Sequence, residues 1–414
     1  MLKNYIKIAW KVLLRRKFFT FISLFGISFT LMILMIVTSM LDQLFGAKAP
    51  ESESQRMLHV FEISTVKEGG GRSQNALSYD FMKTYMKTLK LPEKVALYTN
   101  LNTVNAFSNQ KKLVLDLKTT DEVFWEVTDF EFLEGRGFNR QDVERANMVT
   151  IINENTRKEY FGSVSALGLP ISIDGKTYKV SGVVKNVPLT SLATFADVWT
   201  PYTTAPSKLK SFNGYHGQFN AILLAKSKKD LPAIKDEVQM VMEYLNNLPK
   251  AGNEHHYVFA ETFAEQTSRH LLGDGTESKI ELFSLLGILL MLLFMLLPTI
   301  NLVNINISRI MERSSEIGVR RAFGATQNTL VGQFLVENIF LTLIGSLIGF
   351  VLSYLVLKLI NNMQVVAYAN FELNIQVFIY GLAMALIFGI ISGVFPAYKM
   401  SRLQAVDALK GGTL

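Results

Sequence analysis

Four stretches of this chain run without a charged residue for long enough to cross a membrane. Phe18–Leu41 holds 24 residues, Leu282–Ser308 27, Asn338–Leu357 20 and Leu373–Tyr398 26. A helix of about 20 apolar residues spans the hydrocarbon core, so each is a candidate span and the longer ones have room to tilt. Between the first and second, residues 42–281 change pattern. Phe81, Met82, Tyr85, Met86 and Leu89 recur at helical spacing behind an N-cap candidate, Ser78. Ile171 and Ile173 alternate into Asp174-Gly175, and Tyr178 and Val180 alternate out of it, which predicts a hairpin. Leu231–Leu248 predicts an amphipathic helix with Ile234, Val238, Val241 and Leu245 on one face. Strands are expected before it, at Phe219–Leu224, and after it, at Tyr257–Phe259. The expected fold is an α-helical membrane protein with four transmembrane helices and a large α+β extracytoplasmic domain inserted between the first and second.

Charge then orients the spans. The chain has 414 residues, 49% hydrophobic, and a net charge of +7; its mean hydropathy is +0.23. Residues 1–17 carry six cations and no acid, and the 309–321 link and the tail after Tyr398 are each +2, which leaves −3 for the rest. That is the positive-inside pattern of a multi-pass protein, not the footprint of a nucleic-acid binder. Both termini and the link are expected in the cytoplasm, with 42–281 and the short 358–372 loop outside. The expected division is 1–41 for an N-terminal amphipathic segment and first span, 42–281 for the outside domain, 282–398 for spans two to four, and 399–414 for a cytoplasmic tail. The first apolar run is about twice the length of a signal-peptide core, so it reads as an anchor. With no cysteine, neither a disulfide framework nor a thiolate metal site is available.

Catalytic signals are weak. No G-x-x-x-x-G-K-[ST], H-E-x-x-H or G-x-S-x-G occurs. His255 and His256 are adjacent, and neighbours on a strand point to opposite faces, poor geometry for one metal. No cofactor or metal is expected on this chain. Glu337 stands alone in an apolar surrounding, and its expected place is near the cytoplasmic interface, reaching water or pairing with an arginine. Gly345-x-x-x-Gly349 and Gly389-x-x-x-Gly393 permit close helix approach, either within the protein's own bundle or across a dimer.

One segment is more specific. In Met311–Thr326, Glu316 precedes Arg320 by one helical turn, Gly324 is placed for a left-handed cap, and Thr326 for the next N-cap. A short helix at 309–324 on the cytoplasmic face is expected, with charges to offer a partner and Ile317 as an apolar knob.

The sequence MERSSEIGVRRAFGATQNTLVGQFLVENIFLTLIG resembles the cytoplasmic link and third span of MacB/FtsX-like ABC transporter permeases. Three further stretches resemble that family in the same order: MLKNYIKIAWKVLLRRKFFTFISLFGIS, FLEGRGFNRQDVERANMVTIINENTRKEYFG with ISIDGKTYKVSGVVKNVP, and FPAYKMSRLQAVDALKGG. Ala405 stands where the family more often has proline. The resemblance implies that Glu312, Arg313, Glu316, Ile317, Gly318, Arg320, Arg321 and Gly324 form the segment that couples to the ATPase. It also implies a multi-pass inner-membrane permease, paired with a second copy or a sister permease, that works with a separate cytoplasmic ABC ATPase holding ATP and magnesium. A periplasmic adaptor or cargo is a further implied partner, and membrane lipid surrounds the spans. ATP cycles would move the periplasmic domain (mechanotransmission), exporting or extracting a peptide, drug or lipoprotein cargo. The alternative is a regulatory subunit that activates a periplasmic partner, such as a cell-wall hydrolase, without moving cargo.

Overall fold

The structure is a computed structural model that describes residues 10–401 apart from 12, 16, 68, 70, 109–110, 206–213, 250–253, 274, 276, 294–295, 297–318, 320–322 and 325. Its long helices are α1 (Lys17–Phe45), α2 (Leu231–Asn246), α3 (Phe263–Leu272), α4 (Ile280–Leu293), α5 (Gln327–Met363) and α6 (Ile375–Ser401). The chain divides into two compact units. The first is Met1–Leu41, Ser284–Val365 and Phe371–Leu414; the second is Asp42–Phe283 with Val366–Asn370.

In the first unit the long helices α1 and α5 bury polar groups beside their apolar core and expose large apolar side chains. On α1 the buried positions include Ser23, Ser28 and Ser39, while Phe18, Phe21, Phe25 and Phe29 are exposed. The last three stack in sequence, with ring centroids 6.2 and 5.4 Å apart. On α5 the buried face carries Gln333, Glu337, Thr342, Ser346 and Ser353, and Leu347, Val351, Leu355 and Leu359 point outward. Water would expel such a leucine and phenylalanine face, whereas hydrocarbon accepts it. Some of the hydroxyls bond within their own helix: Thr30 donates to the Gly26 carbonyl at 2.8 Å and Ser353 to that of Gly349 at 2.7 Å. Among the described residues, Lys17–Phe45 and Val331–Met363 are long and apolar enough to cross a membrane. Glu337 is only 2% exposed, so it is enclosed by protein rather than reaching water.

The second unit is α+β. Strands β1 (Met57–Val60), β2 (Ile63–Lys67), β3 (Arg72–Asn75), β4 (Lys94–Thr99), β5 (Asn102–Ser108), β6 (Lys111–Thr120), β7 (Phe132–Gly135), β8 (Val149–Asn153), β9 (Pro170–Ile173), β10 (Lys176–Val184), β11 (Val198–Pro201), β12 (Phe219–Leu224) and β13 (Glu254–Val258) form two sheets. In the larger, the order runs β1-β12-β4-β6-β11-β8-β10-β9-β5, with β7 on β10, and β5 pairs back onto β6. Strands β6, β11, β8, β10, β9 and β5 therefore close into a ring, which leaves no open edge there. Val104, Leu113, Ile152, Ile171, Val180 and Val198 pack together as its core. The β1-β12-β4 arm is covered by α2 and by the β13-β2-β3 sheet through Leu58, Leu77, Phe219, Ile234 and Val238.

The hairpin expected at Asp174-Gly175 is present: Lys176 pairs with Ile173, and both turn residues have positive φ, 45° and 77°, as a two-residue turn between twisted strands requires. Helix α2 buries Leu231, Ile234, Val238, Met242 and Leu245, with Val241 partly buried. The helix behind Ser78 is shorter than its apolar spacing predicts. Ser78 caps it as expected by accepting from the Phe81 N–H, but it widens to a π turn closed by the Lys87 N–H on the Met82 carbonyl, and ends there. Lys87 holds Asp121 at 2.6 Å, and Pro92 cannot continue a helix. The strand expected at 257–259 runs instead over Glu254–Val258, paired with β2. It places His255 outward and His256 inward, where its Nδ1 meets Thr65 Oγ1 at 2.9 Å.

Candidate functional site

Thr326 Oγ1 accepts the Thr329 N–H at 3.4 Å and so caps α5, and Gly324 sits at φ 88°, a value most side chains avoid. Glu312, Arg313, Glu316, Ile317, Gly318, Arg320 and Arg321 lie outside the described residues. The sequence reading passed over Phe323, which is 88% exposed beside Gly324. An aromatic ring in a polar link was the available signal.

The spans approach one another at glycines. A Cβ on Gly345 would lie 2.8 Å from Ile27 Cγ2, and one on Gly349 would lie 2.8 Å from the Ser28 carbonyl oxygen. Both thus face α1 of the same chain. A Cβ on Gly389 of α6 would lie 2.7 Å from Thr342 Oγ1 on α5. The surroundings of Gly393 fall outside the described residues. Leu13, Ile27, Leu31 and Leu341 fill the core beside these contacts.

In the second unit, two tethers stand near chain segments that lead to helices of the first. Val366–Asn370 lies between α5 and α6 in sequence yet belongs to the second unit. Its Tyr368 hydroxyl donates to Asp197 Oδ1 at 3.2 Å, its ring packs 6.3 Å from that of Phe195, and the Ala367 carbonyl accepts the Leu189 N–H at 3.0 Å. Asp197 also accepts from Asn153 Nδ2 at 2.8 Å and from the Asp116 N–H at 3.0 Å. Burial pushes the Asp197 carboxyl above its ordinary range, against those hydrogen bonds. Burial, and the charge of Asp197, raise the Tyr368 phenol to about 12, so it remains a donor at neutral pH. The second tether is Arg269 on α3, which has no exposed side-chain surface. It meets Glu62 at 2.8 Å and Glu261 at 2.5 Å, and lies 4.6 Å above the Phe259 ring. Burial raises the Glu261 carboxyl, with Arg269 opposing the rise. Five residues beyond Gly275, whose carbonyl Arg269 and Arg72 share, the chain enters α4. The described residues contain no cluster of three or more His, Cys, Asp or Glu positioned to hold a metal.

Comparison with known proteins places these features. Residues 20–241, more than half of the chain, match the model of the MacB-like periplasmic core domain, and residues 288–405 match that of the FtsX-like permease C-terminal region. The chain belongs to the MacB/FtsX-like ABC transporter permease family. The permease is 29% identical over 293 residues to the uncharacterized ABC transporter permease YknZ of Bacillus subtilis, a match covering 69% of this chain and 68% of that one. It is 27% identical to a probable export ATP-binding/permease protein of Pseudomonas fluorescens, covering 71% of this chain and 43% of the relative. It is also 27% identical to the macrolide export ATP-binding/permease protein MacB of Chromobacterium violaceum, covering 69% and 42%. The permease thus spans less than half the length of those ATP-binding relatives. Among solved structures, the periplasmic region of MacB from Actinobacillus actinomycetemcomitans aligns with a TM-score of 0.39 at 17% identity, covering 51% of this chain and 92% of that one. The extracellular domain of YknZ aligns at 0.37 and 14%, covering 48% and 99%. As a member of this family the permease is a membrane protein with a periplasmic domain, and ABC permeases work with a cytoplasmic ATPase.

Proposed function

We propose that the permease passes the work of a separate cytoplasmic ATPase, which binds ATP and magnesium, to its periplasmic domain, and that domain motion exports or extracts a peptide, drug or lipoprotein. On this reading four helices cross the inner membrane, both termini are cytoplasmic, and the domain is inserted between the first two spans. Two permeases, identical or sister, pair with the ATPases. The observation that carries the reading is the threefold attachment of the second unit to helix-bearing chain. It is entered from α1, left into α4, and held a third time by Val366–Asn370 between α5 and α6. These chain connections are the routes by which helix motion would reach the domain. Exposed Phe323 supports a docking role for the link, beside Glu316 and Arg320, whose spacing supports a helix there.

Affinity purification from native membranes tests the division of labour. The expected result is a P-loop ATPase in stoichiometric amount, with ATP hydrolysis lost when it is stripped away. Hydrolysis by the permease alone, or no ATPase recovered, would overturn the reading.

A further inference from the structure

The second unit holds a cavity of about 230 Å³. The tethers do not use it. Its walls come from residues 43–61, the 190–193 loop, Lys228, Leu231 and the start of α3. Phe45, Phe61 and Phe263 line one part, with Phe263 5.8 Å from Phe45 and 6.5 Å from Phe61 by ring centroids. His59 stacks on Phe61 at 5.1 Å and 15°. Among the described residues the one carboxylate in the lining is Glu51, steadied by the Thr194 hydroxyl at 2.7 Å.

His59 adds a polar group to the aromatic wall. The residue is 5% exposed and lines the cavity, and its Nδ1 is enclosed with no hydrogen-bond partner. That atom is sealed off from water, so a ligand in the cavity can meet the ring only through its other nitrogen, Nε2. Burial holds the ring below the ordinary histidine range, hence neutral at physiological pH, with one ring nitrogen free to accept a hydrogen.

Two lysines, Lys48 and Lys228, line the cavity with Glu51. Lys48 is drawn to Asp42 at 2.9 Å, and Lys228 is exposed. Lys118 gives its hydrogens to the Leu192 and Ala193 carbonyls, although its charge is also attracted to Glu51. A carboxylate, a neutral acceptor and three aromatic rings form the usual chemistry for an organic ammonium.

We propose that this cavity binds the ammonium-bearing end of a small apolar molecule, with Glu51 and His59 taking the ammonium and Phe45, Phe61 and Phe263 the apolar body. An apolar cavity of about 150 Å³ accepts benzene, so this space suits on the order of ten heavy atoms, roughly a ring with a short amine arm. The inference does not depend on the export reading, because binding is measured without ATP or ATPase.

The test uses the full-length permease in nanodiscs, titrated with 2-phenylethylammonium and, separately, with neutral 2-phenylethanol, after subtraction of partition into empty nanodiscs. Saturable binding of the amine is expected, about tenfold or more tighter than the alcohol. Glu51→Gln should erase that gap, and His59→Phe should weaken the amine more than the alcohol. Phe61→Ala should weaken both alike. Absence of saturable amine binding, equal binding of amine and alcohol by the native protein, or an unchanged gap in a folded Glu51→Gln protein would each overturn the proposal. Should a variant fail to fold, the native amine-to-alcohol comparison decides alone.

Discussion

Lys118 places an ammonium where only 1% of the residue is exposed, 5.1 Å from the Tyr98 ring centroid. Burial lowers its pKa from 10.5 to about 7, with Glu51 opposing the fall. Between those values the unfolded chain carries the proton and the folded one does not, so this group's contribution to stability grows as pH rises through the window and is lost as pH falls towards 7. The melting midpoint of the native protein should therefore gain, relative to Lys118→Met, as pH rises from about 7 into the ordinary lysine range. Parallel pH profiles would contradict this. A lone lysine in a β strand gives no such sign in sequence, because the burial comes from the 190–193 loop, more than 70 residues away. The glycines were more legible, since a four-residue spacing of small side chains has a direct packing meaning. What spacing could not reveal is which helix they meet. Gly349→Ala drives a methyl against the Ser28 carbonyl of α1 and should cost about 1–3 kcal/mol of bundle stability. Gly26→Ala, with nothing within 4 Å, and Leu347→Ala, at a position 63% exposed, serve as controls. Thermal aggregation in detergent reads the difference, and equal midpoints for all three would remove the close-approach role.

Elements defined by their own turn or cap chemistry were readable in advance. The Asp174-Gly175 hairpin and the Ser78 and Thr326 caps need only neighbours within three or four residues. Elements whose limits depend on distant partners were not. The helix behind Ser78 stops early where Lys87 turns to Asp121, and β13 takes its register from β2, almost 200 residues earlier. The Val366–Asn370 strap was hidden for the same reason: Tyr368 and Asp197 are 171 positions apart. Tyr368→Phe removes one donor to a carboxylate that keeps Asn153, so a loss of about 1 kcal/mol is expected, with faster amide exchange confined to the strap and its Leu189 neighbour. Unchanged exchange there would show that the hydroxyl does not hold the strap. Arg269→Met is the harsher change. It leaves Glu261 enclosed without its cation and should lower stability by about 3–5 kcal/mol, read from denaturant unfolding of the full chain. A loss below about 1 kcal/mol would mean that Glu261 finds another partner or water.

At the scale of the whole molecule, hydrophobic runs and charge asymmetry were enough to outline a membrane protein with an extracytoplasmic domain, because lipid imposes length and sign directly. The ring of strands in that domain was not legible, since β8–β10 and β6–β11 are parallel pairs made across long connections. The proposed coupling joins the two ends: ATP-driven movement would enter at Met311–Thr326 and emerge in the second unit. The chain has no cysteine, so two introduced cysteines accept spin labels without background. The most direct measurement is the label distance between α5 and the second unit in the permease–ATPase complex, with and without ATP, for the native protein, Glu316→Ala and Arg320→Ala. The account expects an ATP-dependent distance change in the native complex that is lost or strongly reduced in both variants, while their folding is unchanged, because an exposed helical ion pair contributes at most about 1 kcal/mol. A native-like change in both variants, or no change in the native complex during hydrolysis, would contradict it.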